Sequence, residues 1–294
     1  MHSKRHFLLL FLASALFFSS CKEVAQNTST DFTKESEFTS GIEGPATDAD
    51  GTIYAVNFKE EGTIGKVDAN GNASLFIKLP NGSIGNGIRF DKNGTMFIAD
   101  YTNHNILQIK KGADKATVFA SDSTMNQPND LAIAPNGILY ASDPNWAKST
   151  GNLWMSKNNK MILLEKNMGT TNGIEVSPDG KTLYVNESIQ RKIWKYDILE
   201  DGSVTNKQQF TSFTNFGLDG MRCDNKGNLY VCRYDKGTVA IFSPLGKLIR
   251  EVQLTGKKPT NITFGGNENK FCYVTLADRG SFEVFAANNP GRKN

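Results

Sequence analysis

The sequence predicts an all-β protein: a six-bladed β-propeller, with four-stranded blades set around a central channel. Three observations lead there. Glycine (27) outnumbers proline (9), and the stretches between glycines are β-branched or aromatic, the composition of short strands joined by tight turns. One strand–turn–strand unit recurs six times along the chain. Two further strand-like stretches follow that unit in most copies, making four antiparallel strands per repeat, as in a propeller blade.

The repeats read EGPATDADGTIYAV from Glu43, NGIRFDKNGTMFIAD from Asn86, NDLAIAPNGILYASD from Asn129, NGIEVSPDGKTLYVN from Asn172, DGMRCDNKGNLYVCR from Asp219 and NITFGGNENKFCYVT from Asn261. Their starts are 43, 43, 43, 47 and 42 residues apart, and in the first five copies the turn glycine follows the start by 8. Third strands such as GTIGKVDA, NILQIKKG and KIWKYDI come next, and fourth strands such as ASLFIKL and ATVFAS after them. Residues 41–294 therefore form one propeller domain. The last copy shows only three strands, so segment 31–40 is expected to supply its outer strand and close the ring, which removes an open sheet edge. A pair of β-sandwiches would also be all-β, but it gives no reason for six copies at near-constant spacing.

Ahead of the propeller, Lys4 and Arg5 precede an apolar run over residues 7–18, and Ser19, Ser20 and Cys21 follow. A basic segment, an apolar segment and small residues before a cut site make a secretory signal over residues 1–20. A cysteine directly after the small residues resembles the lipobox of bacterial lipoproteins, in which Cys21 is lipidated and becomes the first mature residue. The alternative is an ordinary signal peptide whose last turn holds a cysteine. The expectation is an exported lipoprotein, anchored to a membrane through Cys21 and facing the periplasm or the cell exterior, with residues 21–40 as a polar tether. No later apolar run is long enough to span a bilayer. The formal net charge is +3, with the charges scattered, which leaves no footprint for nucleic acid. The chain is expected to act as a monomer. Cys223, Cys232 and Cys272 are an odd number, so no complete disulfide framework is available and buried thiols are expected.

In a propeller the first strand of each blade lines the channel, and its first residues stand at one mouth. Glu43, Asn86, Asn129, Asn172, Asp219 and Asn261 hold that place in the six copies, and all six carry a side-chain oxygen. An Asn recurs at the head of a half-buried strand because it faces a shared polar channel and not the apolar space between blades. Two carboxylates and several amide oxygens converging on one point are hard ligands. They suit Ca2+, and Mg2+ or Mn2+ less readily, and offer nothing soft for copper or a thiolate-bound zinc. On the residues alone a second reading stays open, in which the same side chains cap strands and hydrogen-bond channel water.

The stretches GIEGPATDADGTIYAV at 41–56, QPNDLAIAPNGILYASDP at 127–144, TNGIEVSPDGKTLYV at 171–185, LDGMRCDNKGNLYV at 218–231 and KPTNITFGG at 258–266 resemble the family of gluconolactonases, regucalcin (senescence marker protein) and luciferin-regenerating enzymes. The likeness runs over nearly the whole chain after the leader. It implies a six-bladed propeller with a divalent cation in the channel, most often calcium, with Mg2+, Mn2+ or Zn2+ as alternatives. It also implies the ligands: the Glu of EGP, the Asn of NDL, the Asn of NGI–SPDG and the Asp of DGM, which fall on Glu43, Asn129, Asn172 and Asp219. Regucalcin-like members carry an Arg two residues before the NDL-type Asn, where this chain has Gln127. Trp146, in SDPNWAKSTG at 142–151, either covers the mouth or lies on the surface.

His2 and His6 lie in the leader, which leaves His104, and there is no G-x-S-x-G elbow. A paraoxonase-type His dyad is thereby excluded, and a Ser–His–Asp triad would have to use His104 without its elbow. His104, in YTNHNIL between the second and third strands of blade two, either lines the active-site face as a proton shuttle or is a loop histidine without a role. The chemistry that remains is metal-assisted hydrolysis of a lactone, such as gluconolactone or a similar cyclic ester. The cation would act as Lewis acid on the carbonyl oxygen and Asp219 as general base. Asn86, Asn129 and His104 are the expected substrate contacts. Asp130 either supports the site from behind or caps a strand. Two other functions fit the same fold: hydrolysis of aryl esters or organophosphates, and non-catalytic binding of a ligand or protein on the loop face.

Replacing Cys21 with Ser is expected to leave the propeller folded while moving the protein out of the membrane fraction. Wild-type protein released in soluble form, starting at another residue, would contradict the lipid anchor.

Overall fold

The computed structural model describes residues 27–292. The signal-type leader and Cys21 lie outside these residues. Six four-stranded antiparallel sheets follow one another along the chain. Blade one comprises Phe38–Thr47, Ile53–Phe58, Thr63–Val67 and Ala73–Lys78, and blade two Gly85–Phe90, Met96–Asp100, Asn105–Ile109 and Thr117–Ser121. Blade three comprises Leu131–Ile133, Leu139–Asn145, Thr150–Lys157 and Lys160–Met168, and blade four Thr171–Val176, Thr182–Glu187, Lys192–Ile198 and Val204–Ser212. Blade five comprises Met221–Cys223, Leu229–Arg233, Thr238–Phe242 and Leu248–Gln253. Blade six takes Pro259–Gly265, Phe271–Leu276 and Ser281–Ala286 from the end of the chain and Thr30–Asp31 from its beginning. Each inner strand touches those of the blades before and after it, and the sixth touches the first, so the six-bladed propeller closes.

The closing strand is shorter and earlier than segment 31–40. Thr30 pairs with Val284 and Asp31 with Glu283, whereas Phe38 already begins the inner strand of blade one. Arg279 fastens the overlap, its guanidinium reaching Asp31, Glu35 and the buried Glu283 at 2.5–2.8 Å.

The two-residue period of the strands explains why nearly every residue of the second strands is buried. Successive side chains of a strand point to opposite faces, and in a propeller each face meets a different neighbouring blade. In Ile53–Phe58, Tyr54 and Val56 pack with Ile88, Met96 and Ile98 of blade two, while Ile53 and Ala55 pack with Tyr273 and Phe282 of blade six. The apolar residues accordingly form six clusters, one in each gap between adjacent blades. The strands read as apolar on both faces because no blade has a solvent face at its centre. Cys223, Cys232 and Cys272 are free and buried in these gaps, as the odd count implied.

The hairpin turns at the far ends of the inner strands carry the repeat's Asp and Gly. Asp91 Oδ1 accepts from the N–H groups of Asn93 and Thr95 at 2.9 and 2.8 Å, and Asp48 and Asp224 repeat the arrangement. The glycine that closes such a turn adopts positive φ, +78° at Gly94, which is why its spacing from the strand start is constant.

Candidate functional site

Cross-strand pairing fixes which residues are equivalent. Ala46, Arg89, Ala132, Glu175, Arg222 and Thr263 each lie opposite the aromatic residue of the second strand, respectively Tyr54, Phe97, Tyr140, Tyr184, Tyr230 and Tyr273. Three residues earlier stand Glu43, Asn86, Asn129, Asn172, Asp219 and Thr260. Five of these are the expected ring members. The sixth is a correction: Thr260, not Asn261, holds the ring position in blade six. The backbone agrees, since the Gly220 N–H donates to the carbonyl of Thr260 at 2.7 Å just as the Gly87 N–H donates to that of Asn129 at 2.7 Å. The first hairpin of blade six carries an extra cross-strand pair, Gly265 with Phe271, and turns through Asn267–Asn269, so the glycine spacing that aligns the other copies is lost.

Asn261 therefore sits one residue deeper, in the position of Asp130. Its Nδ2 donates to Glu43 Oε2 at 3.1 Å, and its Oδ1 accepts from Arg222 Nη1 at 3.2 Å. At this second position the other blades have Gly44, Gly87, Gly173 and Gly220, because the space is already filled. A Cβ on Gly220 would lie 1.9 Å from Asn261 Cγ, and one on Gly87 would lie 2.7 Å from Asp130 Oδ1. The recurrent Asn–Gly and Asp–Gly pairs follow: the first residue supplies oxygen to the channel, and the second yields room to the neighbouring blade.

The ring is tightly interconnected. Glu43 Oε2 accepts from the Gly44 N–H at 2.5 Å and from Asn261. The Asp219 carboxyl lies close enough to Glu43 and Asn172 for both to act on it. Glu43, Asn129, Asn172 and Asp219 are all buried, while Asn86 is half-buried at the mouth. Burial, helped by the nearby charge of Asp130, pushes the Glu43 carboxyl up to about 7, against the pull of the Gly44 N–H. Burial, together with Glu43 and Asp130, also pushes Asp219 well above the usual carboxylate range. Two carboxyl groups close together in a low-dielectric channel resist joint ionisation.

Beneath the ring lies a charged layer. Asp130 is bonded to Arg89 at 3.1 Å and approached by Arg222 at 3.6 Å, and Glu175 is paired with Arg292 at 2.9 Å. Sequence analysis singled out Asp130 but missed Arg89, Glu175, Arg222 and Arg292. A signal for three of them was available: Arg89, Glu175 and Arg222 are charged residues three places after a ring residue, inside otherwise apolar strands.

At the rim, Asp143 accepts from the backbone of Asn126 and Gln127 at 2.7 Å each and from Trp154 Nε1 at 2.9 Å, which fixes the approach to Asn129. Gln127 lies beside the half-buried Tyr101. His104 is exposed, at φ +55° in the turn between the second and third strands of blade two. That turn is on the ring's side of the propeller, but His104 is not among the buried ring side chains. Trp146 is half-buried in the single turn Trp146–Lys148 on the same side.

The donor set fits a hard divalent cation. Among the described residues no three His, Cys, Asp or Glu side chains form a metal cluster; the ring instead brings two carboxylates together with amide oxygens. One of these, Asn172 Oδ1, is buried with no hydrogen-bond partner. An orphaned carbonyl oxygen beside two crowded carboxylates is an acceptor array that lacks a positive charge.

The family model described as "SMP-30/Gluconolactonase/LRE-like region" matches residues 33–278. The chain belongs to this family. Within it, the chain is 24% identical over 260 residues to the gluconolactonase of Zymomonas mobilis, covering 76% of this chain and 72% of the relative. It is 26% identical over 296 residues to the diisopropyl-fluorophosphatase of Loligo vulgaris, covering 89% and 94%. Among solved structures, a calcium-binding protein, regucalcin, from Agrobacterium tumefaciens shares the fold with a TM-score of 0.77 at 20% identity, covering 91% of this chain and 98% of that one.

Replacing Asn172 with Ala removes the orphaned oxygen without adding bulk. The variant is expected to stay folded and to lose most of the rise in melting temperature that calcium gives the wild type by linkage. An undiminished calcium effect would take Asn172 out of the site.

Proposed function

We propose that this member of the SMP-30/gluconolactonase/LRE-like family hydrolyses a lactone, a sugar lactone such as gluconolactone or a similar cyclic ester, at the ring. The observation that carries the reading is the burial of Glu43 and Asp219 close together beside the unpartnered oxygen of Asn172. A propeller that only binds a partner on its loops has no use for two carboxylates forced together at the channel mouth. The gluconolactonase among the relatives supplies the substrate class.

Glu43, Asn129, Asn172 and Asp219 would hold a divalent cation, calcium first. When bound, it supplies Lewis-acid polarisation of a carbonyl oxygen and lowers the charge cost of the two carboxylates. Asp219 takes the proton from the attacking water; burial, Glu43 and Asp130 oppose the acidifying pull that a ligand position exerts on it. Glu43 is held for its role by the Gly44 N–H and Asn261. Asn86, half-buried at the mouth, and Asn129 orient the substrate. His104, exposed at the rim, is assigned contact with the outer part of the substrate. Residues 1–21 support export and anchoring through Cys21, which would place the mouth outside the cytoplasm.

One observation favours a second substrate class. Gln127, beside Tyr101, stands where regucalcin-like members carry an Arg, so this position offers no cation to sugar hydroxyls or carboxylates. Of the gluconolactonase and the diisopropyl-fluorophosphatase reported above, the second matches over the wider part of both chains. Aryl esters and organophosphates therefore belong in the same substrate panel.

Asp219→Asn is expected to keep the fold, because Asn stands at the same ring position in blades two, three and four. Removal of the base should lower lactone hydrolysis by about 10²–10⁴-fold. Activity assays with added calcium separate the two roles. Activity still absent at restored calcium occupancy supports proton transfer, and activity returning with calcium makes Asp219 a ligand only. Near-full activity at trace metal would overturn the hydrolytic mechanism.

A further inference from the structure

The second strands carry a position of their own behind the ring. Two places after the second-strand aromatic stand Val56, Ala99, Ser142, Asn186, Cys232 and Thr275, and all six are fully enclosed. In blades three and six the hydroxyl serves its own inner strand. Ser142 Oγ accepts from the Asp130 N–H at 3.0 Å, and Thr275 Oγ1 accepts from the Asn261 N–H at 3.1 Å. Blades one, two and five place a Val, an Ala and a Cys there. Blade four alone of the six carries an amide, and that amide reaches into the next blade. Asn186 Nδ2 donates to the backbone carbonyl of Asp219 at 2.6 Å.

The inner strand of blade four is shaped around this bond. Thr171 pairs with Glu187 and Ile174 with Val185, so Asn172 and Gly173 together oppose Asn186, two residues against one, as in a β-bulge. A Cβ on Gly173 would lie 2.3 Å from the Asp219 carbonyl oxygen and 2.7 Å from Asn186 Nδ2. The glycine of the Asn172–Gly173 pair therefore clears the path of the hydrogen bond. The orientation of the amide is dictated, because its oxygen turned to Asp219 would set two acceptors against each other. Asn186 Oδ1 is left buried with no hydrogen-bond partner. An unpaired buried oxygen is destabilising, and an apolar residue such as the Val56 of blade one avoids it. A position that served packing alone would not carry an amide.

What Asn186 holds is the peptide unit that follows Asp219. The N–H of the same unit, that of Gly220, donates to the Thr260 carbonyl at 2.7 Å, and the Asp219 N–H donates to the Cys232 carbonyl at 3.0 Å. The peptide is thus gripped at its carbonyl from blade four and at its N–H from blade six. The grip is needed because Asn261 forces residue 220 to be a glycine, and a glycine adds no stiffness of its own to the backbone. With both peptide units of Asp219 held, its Cα–Cβ bond has one direction.

We propose that Asn186 is a positioning residue for Asp219, fixing its main chain so that the carboxylate meets the cation and the attacking water at the ring. The inference rests on the reading of Asp219 as ligand and base given above. Asn186 acts through Asp219 and from behind it, across the gap between blades four and five.

The test is Asn186→Val in the complete mature protein, which puts the residue of blade one into blade four. Calcium affinity is read by titration calorimetry, and kcat and KM are read at saturating calcium. Calcium is expected to bind about tenfold more weakly than in the wild type. At saturating calcium kcat should still be lower by about 10–10²-fold, with KM little changed, because the base is misdirected while the substrate contacts stay. A residue that only packs would move the melting temperature and leave both readings as they are. Asn186→Thr, with the hydroxyl that blade six uses, is too short to reach the Asp219 carbonyl and should give the same result if Asn186→Val does not fold. Unchanged calcium affinity, or kcat at the wild-type level once calcium saturates, would overturn the inference. Wild-type protein that hydrolyses no member of the substrate panel would defeat the hydrolase reading instead, and the calcium titration then decides the role of Asn186 by itself. Wild-type protein that also binds no calcium would overturn both.

Discussion

The channel depends on one buried carboxylate. Asp130 is fully enclosed and stands between Arg89 and Arg222, which come from blades two and five, on opposite sides of the ring. Without it, two guanidiniums would face each other in a dry channel. Removing one partner from such a buried arrangement costs about 3–5 kcal/mol. Asp130 also reaches upwards: its charge is among the causes that push Glu43 and Asp219 towards their protonated forms. The ring's demand for positive charge is therefore set partly by a residue that is not in the ring. A second device works beside it. Asn261, in the same place of blade six, links Glu43 to Arg222 through its two amide atoms.

These contacts make the propeller nearly two-fold at its axis. Blades two and five each offer a Gly and an Arg; blades three and six each fill the space over that Gly with Asp130 or Asn261. Blades one and four differ, offering Glu43 and Asn172 to the ring. The ring is therefore uneven, with Asp219 close to both Glu43 and Asn172, so that the acidic side chains gather to one part of the mouth. An uneven ring suits a site that must hold a charge and leave space for a substrate beside it.

Much of this was legible in the sequence, because a repeat converts spacing into geometry. Glu43, Asn86, Asn129, Asn172 and Asp219 could be placed together from their offset to the turn glycine, and that offset is constant because Gly51, Gly94, Gly137, Gly180 and Gly227 all close turns at positive φ. Blade six broke the frame. Its hairpin is one pair longer and turns without that glycine, so Asn261 was aligned with the ring when Thr260 belongs there. The charged layer went unread for a different reason. Arg89, Glu175 and Arg222 look like exposed residues of amphipathic strands unless it is known that inner strands have no exposed face. Arg292 comes from the end of the chain, beyond the last repeat, and no periodicity could bring it to Glu175. The closing strand was anticipated in kind but not in place, since two residues, Thr30 and Asp31, suffice where Arg279 anchors them.

The account rests on the ring as the seat of a cation, and the most direct measurement is anomalous X-ray diffraction from crystals grown with calcium. The account predicts a single strong anomalous peak on the channel axis, about 2.3–2.6 Å from side-chain oxygens of Glu43, Asn129, Asn172 and Asp219. A channel without a peak at saturating calcium, or a peak whose ligands exclude Glu43 and Asp219, would contradict it.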